Sequence, residues 1–90
     1  MQNKIDHFNR ILGSNVKGAS GVVTSGQGKE PIVIAVMLNG AATAFEVICH
    51  RSYVTITQKG LPHPEIWNGK DYGSAALRVA KLLNNARKAA

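Results

Sequence analysis

The sequence predicts a small α+β domain, in which an antiparallel meander of three to four strands is flanked by N- and C-terminal helices. Three observations lead to this prediction. Apolar residues recur at helical spacing near both ends of the chain, β-branched residues are concentrated in the middle, and Asn39-Gly40 separates two apolar runs. Ninety residues suffice for one modest core, so we expect residues 1–90 to form a single domain.

The first helix is predicted near the N-terminus by an apolar face. That face consists of Ile5, Phe8, Ile11 and Leu12, at positions i, i+3, i+6 and i+7. Asn3 is a suitable N-cap, and Gly13 is suited to end the helix in a left-handed conformation. Residues 13–20 are then expected to form a loop.

The strand signals occupy the middle of the chain. Residues 21–25 are a weak strand candidate, and residues 26–31 predict a turn. Ile32–Leu38 is continuous and rich in β-branched residues, so we expect it to be buried on both faces or central in a sheet. Asn39-Gly40 follows directly and predicts a hairpin, because both residues tolerate positive φ. The return strand is expected at residues 42–50.

Alternation assigns the faces of the later strands. In the return strand, one face consists of Phe45, Val47 and Cys49. In residues 53–58, Val54 and Ile56 are expected to point inward. Cys49 is therefore predicted to be a small, slow-reacting core residue.

Residues 59–73 are predicted to form a long connection, because two prolines and three glycines interrupt regular structure. A connection of this length in a small domain is either functional or mobile. It contains Trp67, the only tryptophan, and Tyr72, with Lys70 between them. Two interpretations remain open: the aromatic residues bind a partner, or Trp67 folds back as a lid on the core.

The second helix is expected from about Asp71 or Ser74 to Lys88. Its polar stripe consists of Arg78, Lys81, Asn85 and Lys88. Residues 70–90 contain five cations and one acid, which is +4 of the formal charge of +6. Either the stripe contacts phosphates or an acidic protein surface, or it is an ordinary solubilising face.

The residues present do not support an enzyme. The three histidines are scattered, the acids form no recognisable pair, and no serine lies in a nucleophile-elbow motif. The glycines of residues 26–29 lack the spacing of a phosphate-binding loop. A single cysteine excludes a disulfide framework within the chain and a multi-cysteine zinc site. We therefore expect a non-enzymatic protein without a cofactor or metal.

The chain also lacks the features of a membrane or secreted protein. Its longest apolar run, Ile32–Leu38, has seven residues, whereas a membrane span needs about 20. The first residues show no apolar segment of a signal peptide, and one unpaired thiol suits a reducing compartment. We expect a cytoplasmic protein.

The order of helix, meander and basic helix resembles the layout of a double-stranded-RNA-binding domain. Such domains open their last helix with a run of lysines that grips phosphates. Here residues 71–76 read Asp-Tyr-Gly-Ser-Ala-Ala, which lacks that run, and the 59–73 connection has no counterpart. The resemblance is confined to layout.

The function predicted from the sequence is that of a small basic binding module that engages nucleic acid through the cationic face of its C-terminal helix. The alternative is a small regulator or inhibitor, of the phage or mobile-element type, that docks on an acidic surface of a host protein complex. A homodimer formed through a sheet edge is compatible with either. The residues expected to bind are Lys70, Arg78, Lys81, Lys88, Trp67 and Tyr72.

Overall fold

A computed structural model describes residues 2–26 and 31–89, with side chains from 4–26 and 31–86. Its elements are α1 (Gln2–Asn15), β1 (Ala19–Ser25), β2 (Ile32–Leu38), β3 (Ala41–Cys49), β4 (Val54–Gln58), β5 (Glu65–Gly69) and α2 (Tyr72–Ala89). The strands form one antiparallel sheet in sequential order. The predicted α+β architecture is confirmed, with five strands in place of three or four.

The additional strand, β5, lies inside the segment predicted to be a long connection. It pairs with β4, with Ile56 opposite Trp67, and a bulge follows toward Glu65. Local sequence favours a loop here, because Pro62 and Pro64 precede the strand and few β-branched residues lie within it. Pairing with β4 overrides this local preference, which is a tertiary effect.

The β2–β3 hairpin forms as predicted. Leu38 pairs with Ala41, and Asn39 and Gly40 have φ values of 53° and 82° in the two-residue turn. Positive φ at both turn residues gives the twist that matches the flanking strands. The backbone N–H of Asn39 also donates to the carbonyl oxygen of Gly18 at 2.9 Å, which ties the turn to the segment after α1.

The helices cover one face of the sheet. In β2, Ile32, Ile34 and Val36 are buried beneath them, whereas Val33 and Ala35 on the other face are half-buried. The strand is therefore internal to the sheet, as one alternative predicted, but only one of its faces is fully enclosed.

The core lies between this sheet face and the two helices, and it includes the predicted inward residues of the strands. Its largest fully buried side chains are Phe8, Leu12, Ile32, Ile34, Ile56, Val16, Val36, Val47, Val54, Val79 and Cys49. Cys49 has no exposed surface, so its predicted burial is confirmed. Ala75 and Ala76 are fully buried, and such small side chains permit close packing of α2.

The predicted end of α1 at Gly13 was wrong. The helix continues to Asn15, and the left-handed residue is Gly18, with φ of 86°. Buried Val16 donates its N–H to the carbonyl of Leu12 at 2.9 Å, which extends the helical hydrogen bonding past the glycine. Tertiary burial of Val16 therefore outweighs the local preference of glycine for ending a helix.

The predicted turn at residues 26–31 falls largely on residues 27–30, which lie outside the described residues. Gly26 precedes them with φ of 77°, and β1 and β2 pair antiparallel on either side. Neither helix, over the residues described, is long and apolar enough to span a membrane.

Candidate functional site

A pocket of about 640 Å³ opens at the end of the sheet where both helices begin. Its walls come from the first turns of α1, the loop between β3 and β4, and the β5–α2 junction. The lining residues are Lys4, His7, His50, Arg51, Ser52, Tyr53, Val54, Lys70, Asp71, Tyr72 and Gly73. We call this site the basic pocket.

The β3–β4 loop forms one wall and is held by its own backbone. Cys49 pairs with Val54, and the N–H of His50 donates to the carbonyl of Tyr53 at 2.8 Å. The rings of His50 and Tyr53 stack, with centroids 4.2 Å apart and planes 13° from parallel. Tyr53 is 46% exposed, so a large aromatic surface faces solvent at this wall.

Asp71 caps α2 at the opposite wall. Its Oδ1 accepts the backbone N–H of Ser74 at 2.7 Å, and its Oδ2 accepts the Ser74 hydroxyl at 3.2 Å. These hydrogen bonds lower the pKa of Asp71, with the bond from the Ser74 backbone as the largest cause. The carboxylate is thus engaged in capping.

Tyr72 links the pocket to the core. The Lys4 ammonium lies over its ring, 5.7 Å from the centroid. The Tyr72 side chain also hydrogen-bonds the Cys49 thiol. Burial raises the pKa of Cys49, against the smaller lowering by this hydrogen bond and by the charge of Lys4. The thiol is therefore predominantly protonated at neutral pH.

The basic pocket has an excess of positive charge. Lys4, Arg51 and Lys70 contribute three cations, and the one acid among its lining residues is Asp71, so their formal charge is +2. The ion pair found among the described residues, Lys59 with Glu46, involves none of these three cations. The positive ends of two helix dipoles point to the same region. The arrangement is suited to binding a phosphate or carboxylate group.

Two of the predicted binding residues, Lys70 and Tyr72, lie in the basic pocket. Lys81 is exposed on α2, roughly 14 Å along the helix axis from Tyr72 at the usual rise per residue. Arg78 is partly buried, and its Nε has no hydrogen-bond partner within the described part of the chain. The side chain of Lys88 lies outside the described residues. A contact of the stripe with a partner stays a prediction.

Trp67 packs on the core. It is half-buried in β5 with Ile66, and a Cβ atom placed at Gly69 would overlap its ring. The ring therefore lies over Gly69, in the space that a larger side chain would take. This placement matches the interpretation of Trp67 as a lid on the core; partner binding by Trp67 stays a prediction.

Sequence reasoning missed five of the basic and aromatic residues that line the pocket. These are Lys4, His7, His50, Arg51 and Tyr53. They come from segments far apart in the chain, and nothing local indicates that those segments meet. The one available signal was the polar and aromatic run His-Arg-Ser-Tyr at 50–53 between two predicted strands, since loops on a rigid scaffold often carry binding residues.

Comparisons with protein-family models, with curated proteins and with solved structures found no match to this chain. Fold and site therefore define this protein by its structure alone. It is a small α+β domain with one open sheet face and a basic pocket where both helices begin.

Proposed function

We propose that this protein is a non-enzymatic nucleic-acid-binding module whose basic pocket contacts the phosphate backbone. The observation behind this proposal is the convergence of Lys4, Arg51 and Lys70 on one cavity whose acid is already engaged as a helix cap. Cations gathered in this way attract phosphates and release the counterions bound to them.

The stripe on α2 gives the proposal secondary support. Lys81 is exposed, and Arg78 is partly exposed on the same helix. Along α2, these two cations extend positive charge away from the basic pocket, where a longer bound strand would find further contacts. We assign the pocket the larger contribution, because three cations line one concave site.

Docking on an acidic host protein is the second candidate, and the open face of the sheet favours it. Val22 is 49% exposed there, and the half-buried residues beside it are Val33, Ala35, Met37 and Ile48. Exposed apolar residues grouped on one sheet face are typical of protein interfaces. Under this alternative, the cations would form the rim of a protein contact.

Fluorescence anisotropy with labelled DNA and RNA oligonucleotides tests the proposal over a range of salt concentrations. The double variant Arg51→Gln/Lys70→Gln removes two pocket cations. The matched control Arg10→Gln/Lys17→Gln removes two exposed cations outside the pocket lining, so net charge is equal in both. For single strands we expect the pocket variant to lower the log–log salt slope by about 1.4, at ~0.7 per lost phosphate contact, and the control to retain it.

A third variant, Arg78→Gln/Lys81→Gln, measures the α2 stripe and is expected to weaken binding less than the pocket variant. Absence of salt-dependent binding to any nucleic acid would contradict the proposal and favour the protein-docking alternative. Equal losses in the pocket variant and the control would show that net charge, and not the pocket, governs binding.

A further inference from the structure

We infer that the basic pocket receives one unpaired nucleotide of a single strand, with the base on the Tyr53 ring and the phosphate among Lys4, Arg51 and Lys70. This inference rests on the proposed function and adds to it the kind of nucleic acid that is bound. It predicts a preference for single strands over duplexes.

The shape of the site is the first argument. A volume of about 640 Å³ lies within the usual range of small-molecule pockets and exceeds what one phosphate requires. The bases of a duplex are stacked and paired inside the helix, so they cannot enter a cavity. The bases of a single strand are free to turn outward and stack on a protein side chain.

The aromatic wall is the second argument. The His50–Tyr53 stack is formed within the chain itself, and the loop that carries it is closed by a backbone hydrogen bond. Tyr53 keeps 46% of its surface exposed in spite of this stacking. A pre-positioned, exposed ring is the platform on which proteins stack nucleic-acid bases without regard to sequence.

The position of the cations is the third argument. Arg51 is two residues from Tyr53 in the same loop, Lys70 precedes α2, and Lys4 is held over the Tyr72 ring. These three cations therefore line the same cavity as the aromatic ring of Tyr53. This combination of stacking ring and cationic groove is the general design of single-strand binding sites.

The test compares a single-stranded oligonucleotide with a blunt-ended duplex of the same sequence, at one fixed low salt concentration. We expect the wild-type protein to prefer the single strand. Tyr53→Leu removes the aromatic ring and is expected to weaken single-strand binding about 5- to 100-fold, the usual effect of losing one stacked base. Tyr53→Phe keeps the ring and is expected to restore the affinity.

The salt slope adds a second readout. Tyr53→Leu removes no charge, so its log–log salt slope is expected to equal that of the wild type, unlike that of Arg51→Gln/Lys70→Gln. If Tyr53→Leu does not fold, a binding measurement on the wild-type protein still tests the contribution of the base. An oligonucleotide with the same phosphates but abasic sugars is expected to bind the wild-type protein about 5- to 100-fold more weakly than the normal single strand.

Equal affinity for duplex and single strand, or equal affinity for abasic and normal strands, would overturn the inference while the proposed function stands. Unchanged single-strand binding by a folded Tyr53→Leu protein would also overturn it. Absence of binding to every nucleic acid would overturn both proposals together.

Discussion

Asn9 and Gly21 join α1 to the free edge of the sheet. The Gly21 N–H donates to Asn9 Oδ1 at 2.6 Å, and Asn9 Nδ2 donates to the Gly21 carbonyl at 3.2 Å. Because β1 is an edge strand, these backbone groups would otherwise be open to another chain. The Asn9 side chain therefore occupies part of the sheet edge that the sequence analysis considered for a homodimer.

Gly21 also permits the close approach of α1. A Cβ atom at this position would lie 2.6 Å from Ile34 Cγ2 and 2.9 Å from Phe8 Cε1. We expect Gly21→Ala to destabilise the fold by about 1–3 kcal/mol through overpacking, measured by urea unfolding. Gly13→Ala is the matched control, because Gly13 is exposed within α1 and its added Cβ would meet only ordinary contact. That control is expected to stabilise by up to about 1 kcal/mol, and equal effects of both variants would refute the packing argument.

Asp71 makes the stability of the fold depend on pH at the acidic end. Its folded-state pKa is lowered by the hydrogen bonds from Ser74, so its stabilising effect is present above the ordinary aspartate pKa of about 3.9. The effect is lost as the pH falls below that value toward the folded-state pKa. Asp71→Asn keeps a capping oxygen but cannot titrate, so we expect its melting temperature to fall less than that of the wild type between about pH 5 and pH 2.

Asp71→Ala removes the cap itself and is expected to melt below the wild type at neutral pH, as followed by circular dichroism. If the melting temperatures of the wild type and Asp71→Asn fall equally as the pH is lowered, acids other than Asp71 govern the loss of stability.

At the scale of elements, the β2–β3 hairpin depends on its two-residue turn. Gly40 has φ of 82° and open space around its Cα, so a side chain there is limited by the backbone and not by neighbours. We expect Gly40→Val to lower stability by at least about 1 kcal/mol, because β-branched residues resist positive φ. Ala41→Val is the matched control: it adds the same side chain at the next, exposed strand position and is expected to be nearly neutral. Similar losses in thermal unfolding of the two variants would contradict this account.

The β5 strand is an element that the local sequence does not specify. Ile66 and Trp67 are its apolar residues, and the chain before it contains two prolines. The strand forms because β4 offers free hydrogen-bonding groups and Trp67 covers Gly69 while packing on the core. These interactions connect the strand to residues elsewhere in the fold, so a local pattern search does not detect them.

At the scale of the whole molecule, the basic pocket brings three cations, Lys4, Arg51 and Lys70, to the end where both helices begin. The chain carries a formal charge of +6, and the lining of the basic pocket accounts for +2. The ion pair found among the described residues, Lys59 with Glu46 at 3.9 Å, joins β3 to the segment after β4. Like charges at one end repel one another and disfavour the compact state.

We therefore expect added salt to raise the melting temperature, because screening weakens this repulsion between about 20 and 200 mM NaCl. The rise should be smaller for Arg51→Gln/Lys70→Gln than for Arg10→Gln/Lys17→Gln, although both variants have the same net charge. Differential scanning fluorimetry measures the melting temperature of each variant at each salt concentration. A melting temperature that is insensitive to salt, or the same salt response in the two variants, would mean that the pocket charges do not repel significantly in the folded protein.

The amino-acid sequence by itself determined the α+β class, the Asn39-Gly40 hairpin, the inward faces of β3 and β4 and the burial of Cys49. All of these follow from periodicity or from one dipeptide, which act over a few residues. Only the tertiary structure decided that α1 continues beyond Gly13, that residues 65–69 form a strand, and that Lys4, Arg51 and Lys70 line one pocket. The physical reason is that burial, strand pairing and the meeting of distant charges depend on residues separated in the chain, whose proximity no local pattern encodes.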